Sequence, residues 1–318
     1  MISKWVIKKF DPKDLSKIRI FFKKLYTGMG SYGSIDLFRW KIQENHVTSG
    51  IFNLIKDKSK IASTTSLTPK SLFIKGKKEI VAEIGDTYTA KNYQRMGMFS
   101  QLVNQTRKDA ESKGIKFIYG TPNEQSLVGY EKNANFKIIQ KLNVKSMTLP
   151  VNISSIISRK THWIIGYFIG YFFLLFLLII YWTKKITYNE KSELEITEID
   201  NIPKNWNTFW QKAQLPYDFI FTRDLKNLEW RFINHPNKYL FYILSYKKEI
   251  IGYITCRCLY ENGFTDLLIA DFLFLEGREK FLKSFLLKIL NDSIKKNVSK
   301  ISVWCPENSP YFKILKDF

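Results

Sequence analysis

The sequence predicts an α/β protein of the α+β kind, with two similar mixed-sheet domains in tandem joined through a hydrophobic helix. A strand-like run at residues 80–89 leads through a glycine-containing loop into a helical pattern that begins near Phe99. The second half repeats the order of strands and helices of the first half, and an uncharged apolar run at residues 163–182 separates the two. The predicted domains are residues 1–150, a hydrophobic segment 151–190 and a degenerate second copy 191–318.

The elements of the first half follow from local patterns. Asp11 and Pro12 begin a helix that runs to about Tyr26 with Leu15, Ile18, Phe22 and Leu25 on one face. A glycine-rich loop at 28–33 follows, and either borders a substrate pocket or simply connects two elements. Two antiparallel strands come next at 52–55 and 61–67, then the central strand 80–89 and a helix 100–112 that ends at Gly114. A strand 117–119, a helix 125–132 and a strand 138–147 complete the first sheet.

The second half repeats this order of elements but lacks the glycine of the loop between strand and helix. Residues 240–244 and 250–252 correspond to 51–55 and 61–63, and residues 300–306 correspond to 116–122. A helix at 279–296 lies between them, with Phe281, Phe285, Leu286, Ile289 and Leu290 on its apolar face. Where the first copy has its glycine-containing loop, the second has residues 278–283 without a glycine at the corresponding position. We therefore expect the second copy to have lost the ligand-binding function of that loop.

The charge of the chain indicates an anionic partner. Fifty basic and 29 acidic residues among 318 give a formal net charge of +21 at pH 7. A nucleotide-linked substrate, nucleic acid or an anionic membrane would match this charge, although a lysine-rich surface can also serve only for solvation. The lysines are scattered and no zinc-finger, helix-turn-helix or RNA-binding signature occurs, so we expect no nucleic-acid partner.

The cysteines and histidines indicate neither a disulfide framework nor a metal site. The three cysteines include no CxxC pair, and the three histidines have no spacing typical of metal ligands. We expect reduced core thiols, no metal and a cytosolic compartment. No apolar run follows the N-terminal residues 1–5, so we expect no signal peptide.

The loop before the helix at 100–112 has the chemistry of a phosphate site. A glycine between a strand and a helix lets the backbone approach a ligand, and the first helical N–H groups are free to bind phosphate. A tight turn without a ligand is the alternative. The run Gln94-Arg95-Met96-Gly97-Met98-Phe99 resembles the acetyl-CoA-binding motif Gln/Arg-x-x-Gly-x-Gly/Ala of the GNAT acetyltransferases. Phe99 departs from that motif, and it is similar to a Gly-Ile/Leu-Phe run in GNAT proteins associated with polysaccharide synthesis.

A second motif lies downstream at the spacing that the GNAT family shows. Asn123, Ser126, Tyr130 with Lys132, and Asn135-Phe136 resemble the family's Asn…Ser/Ala…Tyr-x-Lys…Gly-Phe pattern. Asn135 stands where glycine is usual, and asparagine tolerates a left-handed backbone better than most residues. Residues 230–236, Trp-Arg-Phe-Ile-Asn-His-Pro, also resemble a run in the polysaccharide-associated group.

The GNAT resemblance implies an N-acetyltransferase with acetyl-CoA as the acyl donor. In such an enzyme Tyr130 would protonate the leaving thiolate, or it is only a core aromatic residue. The base that deprotonates the amine would be Asp86 or Glu83, with Asp86 preferred, or water alone. The cofactor-binding residues implied by the resemblance are Tyr88, Thr89, Gln94, Arg95, Met96, Gly97, Met98, Phe99 and Asn123.

The apolar run at residues 163–182 predicts a transmembrane helix. About 20 residues of helix span about 30 Å, the thickness of a bilayer core, and Trp163 and Trp182 lie at its ends, as interfacial aromatics do. Gly166 and Gly170 have the spacing that lets two such helices approach closely. A buried core helix, or a re-entrant or interfacial helix with both halves cytosolic, is the alternative. We expect a cytoplasmic-membrane location with the catalytic domain facing the cytoplasm.

Three functions are consistent with the sequence. The first is an N-acetyltransferase that acts on a small amine, in particular a nucleotide- or lipid-linked amino sugar in surface-polysaccharide synthesis. The second is a Fem-type aminoacyl transferase that acts on a lipid-linked precursor. The third is a non-catalytic membrane-bound scaffold.

Overall fold

The computed structural model describes residues 5–25, 34–139, 143–159, 163–187, 194–261 and 263–318. The chain divides into two compact units, and each combines two stretches of sequence. The first unit contains Met1–Gln140 and Tyr217–Pro236, and the second contains Lys141–Pro216 and Asn237–Phe318. The loop at 28–33, predicted to border a substrate pocket, lies outside the described residues.

Both units mix strands and helices. The strands are β1 (Ile7–Lys9), β2 (Ile51–Asp57), β3 (Lys60–Ile74), β4 (Lys77–Thr89), β5 (Phe117–Gly120), β6 (Val144–Pro150), β7 (Leu194–Ile199), β8 (Phe219–Phe221), β9 (Tyr239–Tyr246), β10 (Glu249–Glu261), β11 (Phe264–Phe274) and β12 (Lys300–Pro306). The helices are α1 (Leu15–Leu25), α2 (Ile35–Phe38), α3 (Met98–Glu111), α4 (Glu124–Ala134), α5 (Ile153–Ser158), α6 (Trp163–Thr187), α7 (Trp206–Ala213), α8 (Leu225–Leu228), α9 (Leu282–Lys295) and α10 (Phe312–Asp317).

The sheet of the first unit runs in the order β1-β2-β3-β4-β5, and β8 pairs with the last residues of β3. All its described pairs are antiparallel except β4 with β5, which are parallel from Val81 to Ile84. Apolar side chains of α3 and α4 close one side of this sheet, including the fully buried Val103 and the nearly buried Tyr130. The predicted central strand and the helix after it are both confirmed.

The two parallel strands separate at their carboxyl ends. β5 ends at Gly120, which lies opposite Ile84, whereas β4 continues for five residues to Thr89. The pairing register between β3 and β4 also shifts between Thr64 and Ser66, and Asp86 has a left-handed φ of +47°. A bulge of this kind redirects side chains at the point where a strand loses its neighbour.

The second unit contains a six-stranded sheet in the order β6-β12-β11-β10-β9-β7. The prediction that residues 138–147 complete the first sheet is wrong, because β6 pairs antiparallel with β12 in the second unit. α9 packs on this sheet through Phe285, Leu286, Ile289 and Leu290, as its apolar face predicted. The three cysteines form no disulfide, and Cys256 and Cys305 are buried as expected.

The apolar run at residues 163–182 lies within α6, which belongs to the second unit. The predicted arrangement, in which this helix joins two domains, is therefore not confirmed. In the part of the chain that the structure describes, no helix is both long and apolar enough to cross a membrane, so the predicted transmembrane helix is not found.

Candidate functional site

The loop between β4 and α3 contains two residues with a left-handed backbone just before the helix. Gly97 precedes the first residue of α3 with φ +78°, and Arg95 has φ +62°. The first bond of the helix runs from the Gln101 N–H to the Gly97 carbonyl, at 3.1 Å, so the N–H groups of the first turn precede the helical ladder. Alternating left-handed residues before a helix start make an anion-binding nest, because several N–H groups point to one side. The turn therefore has the geometry of a phosphate site.

The other residues predicted to contact the donor lie around this turn and across the strand ends. The Gln94 side chain donates to the Thr89 carbonyl at 3.2 Å, and the Thr89 hydroxyl lies 2.8 Å from the hydroxyl of Ser63. The Tyr88 ring meets the ring of Phe21 with centroids 5.6 Å apart. Met96 is 47% exposed, whereas Met98 is buried. Their roles in donor binding stay predictions.

Asn123 has a structural role in addition to the predicted one. It is the N-cap of α4, and its side-chain oxygen accepts from the backbone N–H and the hydroxyl of Ser126, at 3.0 and 2.8 Å. A cap of this kind satisfies an N–H group that the helix itself leaves unpaired. Asn123 thereby orients the first turn of the helix that carries Tyr130.

The structure accounts for Phe99, the position that departs from the GNAT motif. Its ring packs against the ring of Tyr130, with centroids 5.2 Å apart. A Cβ on Gly129 would lie 3.2 Å from the Phe99 ring, so the absence of a side chain at residue 129 makes room for it. Phe99 therefore belongs to the interface of α3 with α4. The glycine just before Tyr130 is a signal of this packing that the motif comparison missed.

Tyr130 points from α4 to the bulged end of β4. Its hydroxyl donates to the Thr87 hydroxyl at 2.7 Å, and Thr87 lies 2.8 Å from the hydroxyl of Thr65. Burial raises the pKa of Tyr130, Asp86 raises it further, and the hydrogen bond with Thr87 acts in the opposite direction. The net upward shift keeps this phenol protonated at neutral pH, as a proton donor requires.

The two predicted bases are both bound to lysines. Asp86 pairs with Lys41 and accepts from the Ser66 hydroxyl at 2.7 Å. Glu83 lies 2.5 Å from the Lys70 ammonium. Burial alone would raise the pKa of Glu83, but the charges of Lys70 and Lys41 and the hydrogen bond to Lys70 outweigh it and lower the pKa. Glu83 is therefore held ionised, which makes it a weak proton acceptor.

These pairs belong to one mixed-charge cluster on the first unit, comprising Lys41, Lys70, Glu83, Asp86 and Arg231. Lys41, which binds Asp86, also acts electrostatically on Glu83 and on Lys70. The bulge at Asp86 breaks the strand alternation that would put Glu83 and Asp86 on opposite faces. Burial lowers the pKa of Lys70, with Arg231 and Lys41 acting in the same direction and Glu83 against it.

Part of the cluster comes from a segment that sequence reasoning assigned to the second domain. Tyr217–Pro236 belongs to the first unit and carries both Arg231 and Phe221. The Phe221 ring lies 5.4 Å from the ring of Tyr119, and the Lys70 ammonium lies 5.8 Å from the Phe221 ring. The second half of the sequence therefore contributes side chains to the site of the first.

Two similar helical turns hold the segment Tyr217–Pro236 in the first unit. Ser34 caps α2, which continues into a π-helical turn Arg39–Gln43. Asp224 caps α8, which continues into a π-helical turn Glu229–Ile233.

The two turns contact each other reciprocally through their tryptophans. The Trp40 indole donates to the Trp230 carbonyl at 2.8 Å, the Trp230 indole donates to the Trp40 carbonyl at 3.2 Å, and the rings stack 4.3 Å apart at 8°. Each tryptophan is followed by a cation of the cluster, Lys41 or Arg231. The repeat Trp-Lys-Ile and Trp-Arg-Phe is a signal in the sequence that our reading of it missed.

The corresponding turn of the second unit is already occupied by a carboxylate. Gly277 has φ +73°, and a 3₁₀ turn Glu279–Phe281 separates it from α9. The Gly277 N–H donates to the Glu279 carboxylate at 3.2 Å. A carboxylate at that position would repel a phosphate, and the loss of ligand binding in the second copy stays a prediction.

Comparison with known proteins finds a domain match within the first unit. Residues 7–133 match the family model described as an acetyltransferase (GNAT) domain. None of the curated proteins is similar to this sequence.

Three solved structures share the fold over nearly the whole chain. A GCN5-related N-acetyltransferase from Anabaena variabilis matches with TM-score 0.59 and 14% identity, covering 98% of this chain and 68% of that one. A probable N-acyltransferase from Enterococcus faecalis matches with TM-score 0.60 and 11% identity, covering 96% and 66%. Saccharomyces cerevisiae N-myristoyltransferase with bound myristoyl-CoA matches with TM-score 0.62 and 11% identity, covering 99% and 80%.

At these identities the three structures show the fold alone. The chain spans about two thirds of the length of the Anabaena and Enterococcus proteins. Residues 7–133 thus match an acetyltransferase (GNAT) domain, and the chain shares the fold of the three solved structures.

Proposed function

We propose that this chain, whose residues 7–133 match the acetyltransferase (GNAT) domain, transfers an acetyl group from acetyl-CoA to the amine of a small acceptor. The proposed acceptor is a nucleotide- or lipid-linked amino sugar in surface-polysaccharide synthesis. The observation that carries the transferase proposal is the N–H nest at Arg95 and Gly97 on the same domain as the protonated Tyr130.

On the donor side, the nest would hold the pyrophosphate of the acyl-CoA. The positive end of the α3 dipole adds to the attraction of the N–H groups for phosphate. The thioester supplies an activated acyl group, and the chain has to position it and protonate its leaving thiolate. Tyr130 can do the latter because its pKa lies above that of an ordinary phenol, so its proton is present throughout the neutral range.

On the acceptor side, an ammonium has to lose its proton before the amine attacks. The carboxylates of Glu83 and Asp86 would attract that ammonium, and its proton would pass to Asp86 or to water. Lys70 lowers the pKa of Glu83, which makes Glu83 a weak base. We therefore assign Glu83 to orientation of the ammonium.

The mixed charge of the cluster supports an acceptor that carries phosphate as well as an amine. Lys41 and Lys70 pair with the two carboxylates, and Arg231 acts electrostatically on Lys70. Cations bind phosphate through charge-assisted hydrogen bonds. The rings of Tyr119 and Phe221 beside Lys70 offer an apolar surface to the rest of the acceptor. An amino sugar linked to a nucleotide or lipid phosphate has all three features.

We also propose that the enzyme works at the cytoplasmic membrane, with its catalytic domain facing the cytoplasm. The charge of +21 supports this location, because cytoplasmic leaflets carry anionic lipids. A Fem-type aminoacyl transferase is less well supported, because it would not use the nest that the first unit retains.

Two matched glycine variants test the donor site. Gly97 and Gly76 have φ of +78° and +83°, and a Cβ at either meets no heavy atom within 4 Å. Trp at either position should therefore cost similar stability, but only Gly97→Trp blocks the nest. We expect isothermal titration calorimetry to show saturable acetyl-CoA binding by wild type and Gly76→Trp, and none by Gly97→Trp.

Turnover is measured as release of free CoA with a panel of amino-sugar nucleotides and lipid-linked amino sugars. Release by wild type but not by Gly97→Trp supports the whole proposal. Absence of acetyl-CoA binding by wild type, or equal binding by both variants, overturns the donor assignment. Binding without turnover on any member of the panel overturns the acceptor class alone.

A further inference from the structure

Helix α6 presents a continuous apolar stripe to solvent. The exposed fractions of its large side chains include 70% for Phe172, 57% for Phe176 and 62% for Ile179. At about 100° per residue, six exposed side chains from Ile169 to Trp182 fall within an arc of about 140° of the helix. We name this surface the α6 stripe; its residues are Ile169, Phe172, Leu175, Phe176, Ile179 and Trp182.

The opposite face of α6 is packed against its own unit. A Cβ on Gly170 would lie 2.4 Å from the Cβ of Ser154, and a Cβ on Gly166 would lie 2.5 Å from the Ser158 hydroxyl, so the glycines allow α5 to approach closely. Leu177 is 3% exposed, and Tyr181 packs on the core of the second unit. The rotation of α6 about its axis is therefore fixed, and the α6 stripe is held outward.

The charge of the chain indicates which partner binds the α6 stripe. α6 contains no acidic residue, and its two charged residues are Lys184 and Lys185. The whole chain carries +21, so a second copy would be repelled, whereas an anionic lipid surface would attract it. Phenylalanine, leucine and tryptophan on one face of a helix are typical of helices that lie in the membrane interface.

We propose that α6 lies in the plane of an anionic bilayer, with the α6 stripe at the boundary between headgroups and acyl chains. A helix that is packed along one face can present only its other face to lipid. We therefore expect α6 to lie at the membrane surface, parallel to it. The inference rests on the proposed membrane location of the enzyme and specifies how that location is achieved. The second unit holds the helix, and the donor site lies on the first unit.

The test compares two double variants of the full chain. Phe172→Ser with Phe176→Ser removes two aromatic rings of the α6 stripe. Tyr260→Ser with Trp304→Ser removes two aromatics of the same unit that are 78% and 70% exposed but lie outside α6. Each protein is sedimented with vesicles of phosphatidylcholine alone and of phosphatidylcholine mixed with phosphatidylglycerol. Circular dichroism checks that both variants are folded.

We expect wild type and the Tyr260/Trp304 variant to bind the anionic vesicles, with weaker binding at high salt and on neutral vesicles. The Phe172/Phe176 variant should bind on the order of 100-fold more weakly, about tenfold for each ring. Alkaline carbonate should release the bound protein, as it releases proteins held at the surface.

Three results overturn the inference: no vesicle binding by wild type, equal binding by both double variants, or resistance to carbonate. A wild-type dimer in solution that the Phe172/Phe176 change dissociates would assign the α6 stripe to a second copy instead. Calorimetry of acetyl-CoA binding is run on the same proteins without vesicles. Because the donor site lies on the other unit, binding that survives in the Phe172/Phe176 variant separates failure of the membrane contact from failure of the transferase.

Discussion

Replacing Tyr130 by phenylalanine removes the proposed proton donor and changes little else. The hydroxyl of Tyr130 makes one hydrogen bond, to the Thr87 hydroxyl at 2.7 Å, and Thr87 retains Thr65 at 2.8 Å. The loss of one such bond costs about 1 kcal/mol of folding free energy. The ring itself, which packs between Phe99 and Phe136, is preserved. The folded structure should therefore survive the substitution.

The effect on rate should be much larger than the effect on stability. A positioned general acid contributes on the order of 10²- to 10⁴-fold to a proton-transfer step. We expect kcat of Tyr130→Phe to fall by about that factor with the KM for acetyl-CoA unchanged, because the nest at Gly97 is not altered. Because burial raises the pKa of Tyr130 above its ordinary value of 10.0, wild-type activity should decline at a higher pH than an ordinary phenol would give. That alkaline decline should disappear in the variant.

The assay is steady-state CoA release over a pH series, with Tyr253→Phe as the matched control. The Tyr253 hydroxyl donates to Asp271 at 2.9 Å in the second unit, so its loss should reduce stability without reducing kcat. If Tyr130→Phe keeps kcat within about threefold of wild type, proton donation by this residue is refuted. An equal decrease of kcat in both variants would show that the decrease in Tyr130→Phe results from reduced stability of the protein.

Two further predictions concern stability. The side chains of Lys70 and Glu83 are 33% and 30% exposed, so solvent screens part of their attraction, and Lys70→Met should cost about 1–3 kcal/mol in urea unfolding. Adding Glu83→Gln should recover part of that loss, and a double-mutant cycle with no coupling would contradict the pairing. Burial lowers the pKa of His46 below its ordinary value of 6.5, so the unfolded chain binds its proton more tightly. The contribution of neutral, buried His46 to the free energy of unfolding is therefore fully present above pH 6.5. It is lost as the pH falls from 6.5 through the folded-state pKa. His46→Gln should make the urea midpoint less sensitive to pH in that range, and an unchanged pH dependence would exclude His46 as its source.

The local features of the site could be predicted from the sequence because each depends on neighbouring residues. The strand before Gly97 shows a strand-like apolar run, and the helix after it has apolar residues at three- and four-residue spacing. The glycine between them was expected to allow a close backbone approach, and the structure has it at φ +78°. Tyr130 is assigned to the site through its resemblance to the GNAT motif, and the structure has it on α4, the helix that follows β5.

The composition of the two units could not be predicted in this way. Pairing of β6 with β12, and of β8 with β3, joins segments about 150 residues apart in sequence, and no local pattern specifies such pairs. Alternation along β4 also predicts opposite faces for Glu83 and Asp86, and only the register of the neighbouring strand reveals the bulge at Asp86. Arg231 was missed for the same reason, because it reaches the cluster through the contact between Trp40 and Trp230.

The second unit contains a related strand–turn–helix whose turn differs from that of the first unit. Its strand–turn–helix retains a left-handed glycine, Gly277, at φ +73°, so the backbone conformation alone does not decide phosphate binding. The difference is in the following residues: the 3₁₀ turn Glu279–Phe281 separates the glycine from α9, and Glu279 accepts the Gly277 N–H. In the first unit, by contrast, Gly97 directly precedes α3, with Met98 and Phe99 as the first residues of the helix. A phosphate at the first turn meets N–H groups and a helix dipole, whereas at the second it would meet a carboxylate. The two turns therefore offer a phosphate different groups, which favours the proposal of one catalytic site, on the first unit with Arg231 from Tyr217–Pro236.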